Sequence, residues 1–313
     1  MIHILVTGGA GFIGSHIAEH LLKKGHIVRI LDNLSTGNIE NIRHLLDNPN
    51  LEFIVGDISN LETVKNACKS IDIICNQAAL GSVPRSIDDP LTSHNNNVNG
   101  FLNILVVAKE MKIKRIVYAS SSSVYGDSDI LPKVEDIIGN PLSPYAITKH
   151  VNELYAKMFC KLYGIETIGL RYFNVFGPRQ NPNGPYAAVI PKFISSLLHN
   201  KQPIINGYGD FSRDFTYVDN VVNANSLALF TQNIKCFGQI FNIGAGSRIT
   251  ILDMFNSIKH NMNSAIDPIF GDTRIGDVPH SNADISKARK LLGYVPIVQF
   301  NEGIKKTIDH FTK

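Results

Sequence analysis

The sequence carries little excess charge, no long apolar run and few cysteines, and each shortage closes off a class of function. Against 30 Lys and Arg stand 27 Asp and Glu, a formal net charge of +3 over 313 residues. No Lys/Arg block stands out, so neither a nucleic-acid partner nor a polybasic membrane patch is expected. No apolar stretch approaches the ~20 residues of a membrane-spanning helix. The opening Met-Ile-His-Ile-Leu-Val-Thr lacks the basic start and apolar core of a secretion signal. Cys68, Cys75, Cys160 and Cys236 show no C-x-x-C spacing. They read as reduced, mostly buried thiols of a cytoplasmic protein, with no metal site expected. What remains is ordinary for a soluble enzyme: 44% hydrophobic and 18% charged residues, enough for one large or two modest domains.

Short runs rich in Ile, Val and Leu alternate with amphipathic segments through the first half. "HILVTG", "HIVRILDN", "LEFIVGDI", "IDIICNQAA", "RIVYASSS" and "ETIGLRYFN" read as strands, and helices are expected around 12–24, 60–69, 92–111 and 143–163. Near-continuous hydrophobicity suits strands covered on both faces, and strand–helix alternation predicts an α/β fold with a doubly wound parallel sheet of the Rossmann type. After residue 175 the pattern loosens. "FGPRQNPNGPY" is a long loop dense in Pro, Gly and Asn, the kind that is often functional. Helices near 188–199 and 219–231, a strand near 214–218, the strand "QIFNIGA" and three closing helices around 250–260, 284–292 and 301–311 follow. The expected division is 1–175 plus about 214–245 for the sheet domain, with about 176–213 and 246–313 as a smaller, partly interleaved C-terminal substrate lobe.

Gly8, Gly11 and Gly14 follow the first strand and open a helix. There, glycine permits a tight turn and close approach of the backbone to a dinucleotide pyrophosphate, and the helix N-terminus supplies free N–H groups. Phe12 and Ile13 lie within the same turn. Asp32, ending the second strand, is placed to accept from the adenine ribose hydroxyls; its charge would repel a 2′-phosphate, so NAD is the expected cofactor. Asn33 adjoins it. Asp57, with Ile58, is either a second contact near the adenine or a carboxylate capping the helix at 60.

Tyr145 and Lys149, in "YAITK", lie four apart on one helix face. A free tyrosine, with a pKa near 10, is too weakly acidic to serve as a base at neutral pH. A nearby ammonium and an oxidised nicotinamide would lower that value. With "TGGAGFIGS", "NQAA", "NNNVNG" and "SSSSVYG", the chain resembles the extended short-chain dehydrogenase/reductase family. The resemblance makes Tyr145 the base acting on a sugar hydroxyl. Lys149 reaches the nicotinamide ribose, and Ser121 and Ser123 bind the reacting oxygen. Asn96 and Phe173 would flank the nicotinamide, and Gln77, Ala78 and Ala79 would pass beneath the adenosine phosphates.

"NQAALGSVPRSI", "PKVEDIIGNPLSPYAITK", "NPNGPYAAVIPKF" and "GDVPHSNADISKARKLLGY" are similar to the nucleotide-sugar 4-epimerases across essentially the whole chain, most of all to those acting on UDP-N-acetylglucosamine. The resemblance implies a UDP-hexose or UDP-N-acetylhexosamine substrate and no net redox change. Asn174 would bind a phosphate or sugar oxygen, and Ala188 and Val189 would line the uracil pocket. Arg213 and Arg274 would neutralise the diphosphate, Asp277 would bind the uridine ribose, and Ser82 and Ser122 would face the sugar. Ser281 would leave room for an N-acetyl group. It also implies a homodimer through the helices near 92–111 and 143–163. The strand-five segment "SSSSVYG" has no acidic residue, unlike that of related dehydratases and decarboxylases. Rival expectations are a UDP-glucuronate 4-epimerase, with Arg85 or Arg179 meeting the carboxylate, and a nucleotide-sensing protein without chemistry.

Overall fold

In the first strand, β1 (His3–Thr7), Ile4 and Val6 point into one apolar layer and Leu5 into the other. That alternation, with both faces apolar, requires a sheet covered on both sides. The computed structural model describes residues 1–184, 186–272 and 278–312, and in it β1 is an interior strand of a seven-stranded parallel sheet. The other strands are β2 (Ile27–Asp32), β3 (Leu51–Val55), β4 (Ile73–Asn76), β5 (Arg115–Ser121), β6 (Glu166–Tyr172) and β7 (Gln239–Ile243). Their spatial order is β3-β2-β1-β4-β5-β6-β7. The order reverses between β1 and β4, the point at which doubly wound sheets open a crevice for ligands.

Helix α1 (Phe12–Lys23) follows β1 after the glycine turn, and α2 (Leu61–Ala67) follows β3. The expected helix over 92–111 is three pieces: a short helix Pro90–His94, one wide π turn Asn95–Asn99, and then α4 (Gly100–Glu110), with α3 (Val83–Asp88) ahead of them. The long α5 (Pro144–Tyr163) starts at a Ser143 cap that accepts from the Ala146 N–H, and ends at Gly164 in a left-handed conformation. α2, α4 and α5 cover one face; α1 packs against α7 (Val218–Phe230) on the other.

The remaining elements are small. α6 (Val189–Leu198) packs against α8 (Ile251–Asn261), which meets α10 (Phe300–Phe311), while α9 (Ser286–Leu292) lies beside β7. Residues 212–213 pair with 249–250 antiparallel and with 280–281 parallel. Among the described residues no helix is long and apolar enough to cross a membrane.

Candidate active site

A cavity of about 660 Å³ opens at the carboxyl ends of β1, β2 and β4. Gly8, Gly11, Phe12, Ile13 and Gly14 form its floor, and Asp32, Asn33, Asp57 and Ile58 its far end. The glycines are needed on steric grounds. At Gly8 the backbone has φ +67°, and a Cβ there would lie 2.7 Å from the Ala78 nitrogen; a Cβ at Gly14 would collide with the Gly8 carbonyl. A Cβ at Gly11 would meet only the Gly8 carbonyl, at 3.1 Å, and would otherwise occupy the cradle itself. The donor set and the cradle fit a dinucleotide pyrophosphate on the α1 N-terminus.

Asp32 is nearly buried. Its two oxygens accept from the N–H groups of Ala10 (2.9 Å) and Leu34 (2.8 Å), and burial pushes its pKa up. Each oxygen keeps a second lone pair for a ribose hydroxyl. Asp57 resolves the alternative left open by the sequence. It accepts from the Asn33 amide (2.7 Å) and the Ser59 N–H (2.7 Å), while the helix cap is Asn60, which accepts from the Thr63 N–H. Asp57 therefore ties β2 to β3 at the cavity edge and does not cap α2.

Gln77, Ala78, Ala79 and Asn96 line the same cavity, as do Tyr145 and Lys149 on α5. Phe173 does not. It is completely buried in the core, its ring tilted against Tyr125 with centroids 6.0 Å apart. Tyr145 is anchored by its N–H, which donates to the Ser86 hydroxyl (3.0 Å), and Lys149 Nζ donates to the Ala119 carbonyl (2.8 Å), 5.9 Å from the Tyr145 ring centre. In the protein alone the ammonium does not acidify the phenol; the expectation counted the charge of an oxidised nicotinamide beside it. Burial raises the Tyr145 pKa, opposed only by a hydrogen bond with Ser121. Burial also lowers Lys149, to about 8, against the pull of Glu153 one turn along α5. Desolvation outweighs the paired charges at this depth.

Ser121 ends β5. Its hydroxyl accepts from the Ser123 N–H (3.1 Å) and donates to the Ser123 hydroxyl (3.0 Å), so the two catalytic candidates form one hydrogen-bonded unit. Ser122 and Ser123 line a second cavity of about 460 Å³ with Asn174, Arg213 and Ser281. The pairing of 280–281 with 212–213 sets Ser281 directly beside Arg213. Asn174 and Arg213 also line a third cavity of about 200 Å³ with Ala187, Val189, Phe193 and Phe215. The two cavities thus meet at a cation and an amide. Ala188, between two lining residues, is the residue before α6, and Ser82 caps α3 by accepting from the Arg85 N–H (3.3 Å). Arg274 and Asp277 lie outside the described residues.

Residues 4–244 match the model of the NAD dependent epimerase/dehydratase family. The chain belongs to that family. Its cofactor is accordingly NAD. A putative UDP-glucose 4-epimerase of Methanocaldococcus jannaschii is 42% identical, with 98% of this chain and 97% of that one covered. Among solved structures, UDP-glucose 4-epimerase of Thermotoga maritima, bound to UDP-glucose, superposes with a TM-score of 0.94 at 35% identity, covering 99% of both chains. UDP-N-acetylglucosamine 4-epimerase of Methanobrevibacter ruminantium, in complex with UDP-N-acetylmuramic acid, gives 0.93 at 40% identity, covering 99% and 98%.

Several residues of this family member's site had no local signal in the sequence. Arg171 grips the Glu153 carboxylate with two hydrogen bonds of 2.8 Å, and Ser120 donates to it at 2.6 Å, a buried network directly behind Lys149. Lys133 lines the second cavity, its ammonium taken by the Ser128 carbonyl. Residues 179–183 and the C-terminal pair His310 and Phe311 line the NAD cavity. The loop was marked by its Pro, Gly and Asn content; the last two had no mark at all.

Proposed function

We propose that the chain is a 4-epimerase of UDP-sugars that interconverts UDP-GlcNAc and UDP-GalNAc through a transient 4-keto sugar. UDP-glucose and UDP-galactose are slower substrates in this reading. The observation that carries it is Ser281, a small side chain lining the sugar-side cavity with Ser122 and Ser123 and set beside Arg213. A bulky residue there would crowd a C2 substituent; serine leaves space for an acetamido group.

Tyr145 takes the proton from the sugar C4 hydroxyl and later returns it to the same oxygen, which Ser121 and Ser123 hold by hydrogen bonds. Bound NAD supplies the acceptor, and then the donor, of the hydride at C4. Lys149 fixes the cofactor ribose and adds positive charge on the side of the phenol. Arg213 binds the diphosphate with the planar fork that suits phosphate oxygens, and Asn174 supports it at the junction of the two cavities. Arg274 and Asp277 complete the diphosphate and ribose contacts in this proposal. Phe173 acts by packing behind the site.

A UDP-glucuronate substrate has one observation in its favour, the Lys133 ammonium in the sugar-side cavity. The two arginines considered for that carboxylate are engaged elsewhere: Arg179 pairs with Glu19 on α1, and Arg85 lies 5.1 Å over the Tyr186 ring. A homodimer is part of the proposal. Ile147, Leu154, Met158 and Leu162 are exposed along α5, at spacings that form an apolar stripe.

The test is an NMR assay of purified protein with UDP-GlcNAc, UDP-glucose and UDP-glucuronate, with and without added NAD. UDP-GalNAc forming fastest is the expected result, and Ser281→Tyr should reverse the preference toward the plain hexose. A Ser281→Tyr protein that handled UDP-GlcNAc as well as the parent would sink the role given to Ser281.

A further inference from the structure

The loop after β6 lines the NAD cavity. Arg179, Gln180, Asn181, Pro182 and Asn183 line the cavity, although they precede the residues that wall the nucleotide pocket. Five contacts fasten this loop to elements distant in sequence, one of them between the Arg179 guanidinium and His44 Nε2 (3.3 Å). The Arg179 guanidinium pairs with the Glu19 carboxylate on α1 and donates to the Ser15 hydroxyl (3.3 Å). The Arg179 N–H donates to His310 Nε2 (3.2 Å) on α10, and His16 Nε2 donates to the Pro178 carbonyl (3.0 Å). Arg179 has φ +65°, a conformation that a non-glycine residue keeps only when its surroundings enforce it. The ion pair is well screened from water, with side-chain exposures of 16% and 18%.

We propose that Arg179 and Glu19 form a clasp that holds the 178–183 loop over bound NAD and sets how slowly the cofactor leaves. This rests on the epimerase reading, in which the cofactor ends each turnover as it began, so that release serves no purpose. The ion pair works because the alternative is costly: opening the loop would leave a half-buried carboxylate and guanidinium without each other. Burial raises the Glu19 pKa, but hydrogen bonds from Lys23 and Arg179 outweigh it and hold the carboxyl at about 2, so the clasp stays charged at neutral pH. Lys23 meets the same carboxylate from the solvent side and touches no part of the loop.

The experiment measures NAD loss from purified, NAD-loaded protein after dilution into excess ADP-ribose, by rapid desalting and quantification of retained NAD. Arg179→Ala and Glu19→Gln should each release NAD at least tenfold faster than the parent, equivalent to about 1.4 kcal/mol. Lys23→Ala should match the parent. Circular dichroism checks that the variants fold, and Glu19→Gln, which keeps the shape of the side chain, carries the decision if Arg179→Ala does not. Glu19→Gln retaining NAD as long as the parent would overturn the clasp, as would a parent that itself sheds NAD on desalting. A protein whose NAD retention follows the clasp but which turns over no UDP-sugar would leave the clasp standing and remove the epimerase reading.

Discussion

The NAD cavity opens at the ends of β1, β2 and β4, strands of one continuous sheet, whereas the sugar-side cavity is lined by residues from two-residue strands, loops and helix starts. The first is positioned by a continuous parallel ladder, in which each strand fixes its neighbour. The small elements beyond the sheet are held by single buried polar side chains. The Asp214 carboxylate accepts from the N–H groups of Ala245 (2.8 Å), Gly246 (3.0 Å) and Ala283 (3.1 Å). Asn220 accepts from Ile297 (2.7 Å) and Val298 (2.9 Å) and donates to the Val298 carbonyl (2.8 Å). A ladder distributes its stability over many bonds; a pin concentrates it in one residue. The difference teaches where each half will break.

The largest expected effect lies at Tyr145, on the wall of the NAD cavity. Tyr145→Phe removes the proton acceptor and should lower kcat on the order of 10³-fold, while leaving NAD content unchanged. Loss of NAD together with activity would mean that the phenol belongs to the cofactor cavity alone. Next come the pins. Asn220→Ala orphans three backbone groups, two of them on the buried Val298, and should cost about 3 kcal/mol. Thr7→Val in the sheet half breaks the hydroxyl bond to Asn76 (2.8 Å) and should cost about 1 kcal/mol. Urea unfolding of both variants gives the ratio, and equal costs would erase the contrast.

The smallest effect is one of pH, and the two halves should respond with opposite sign. Burial lowers His16, on α1, to about 4 from 6.5. The unfolded chain therefore takes up this proton first, and stability is lost as pH falls from 6.5 toward 4. Burial raises Asp214 to about 6 from 3.8. Here the folded state takes up the proton first, so stability is gained as pH falls from 6 toward 3.8. Each amounts to on the order of 2 kcal/mol, and in the parent they largely offset. Relative to the parent, His16→Gln should become more stable between pH 7 and 4.5, and Asp214→Asn less stable, in urea midpoints taken across that range.

The same contrast explains what could be read from the residues in order. The glycine turn, Asp32 and the Tyr145–Lys149 spacing are local patterns, since one strand, one turn and one helix face fix each of them. The Arg171–Glu153 pair behind Lys149 joins β6 to α5, and His310 reaches the NAD cavity from nearly the far end of the chain; neither leaves a periodic trace. That the Tyr145 phenol is not acidified in the protein alone has a different reason. Spacing reports which charges are near, and it is silent about the water that burial removes. Phe173 sits beside a functional strand end, yet its neighbours in space are core residues.

The π turn at Asn95–Asn99 carries a consequence for how this enzyme can vary. Within it Asn96 faces the NAD cavity, while Asn97 accepts from the Leu80 N–H (2.8 Å) and donates to the Thr148 hydroxyl (3.1 Å) on α5. A π turn holds one residue more than an α-helical turn needs. Deleting a single residue there would close it into ordinary helix and rotate what precedes it by about 100°, carrying one asparagine away from the cofactor and the other away from the catalytic helix. At this point chain length, more than side-chain identity, is the inherited specification: scanning substitutions would pass over it, and a one-codon deletion would not.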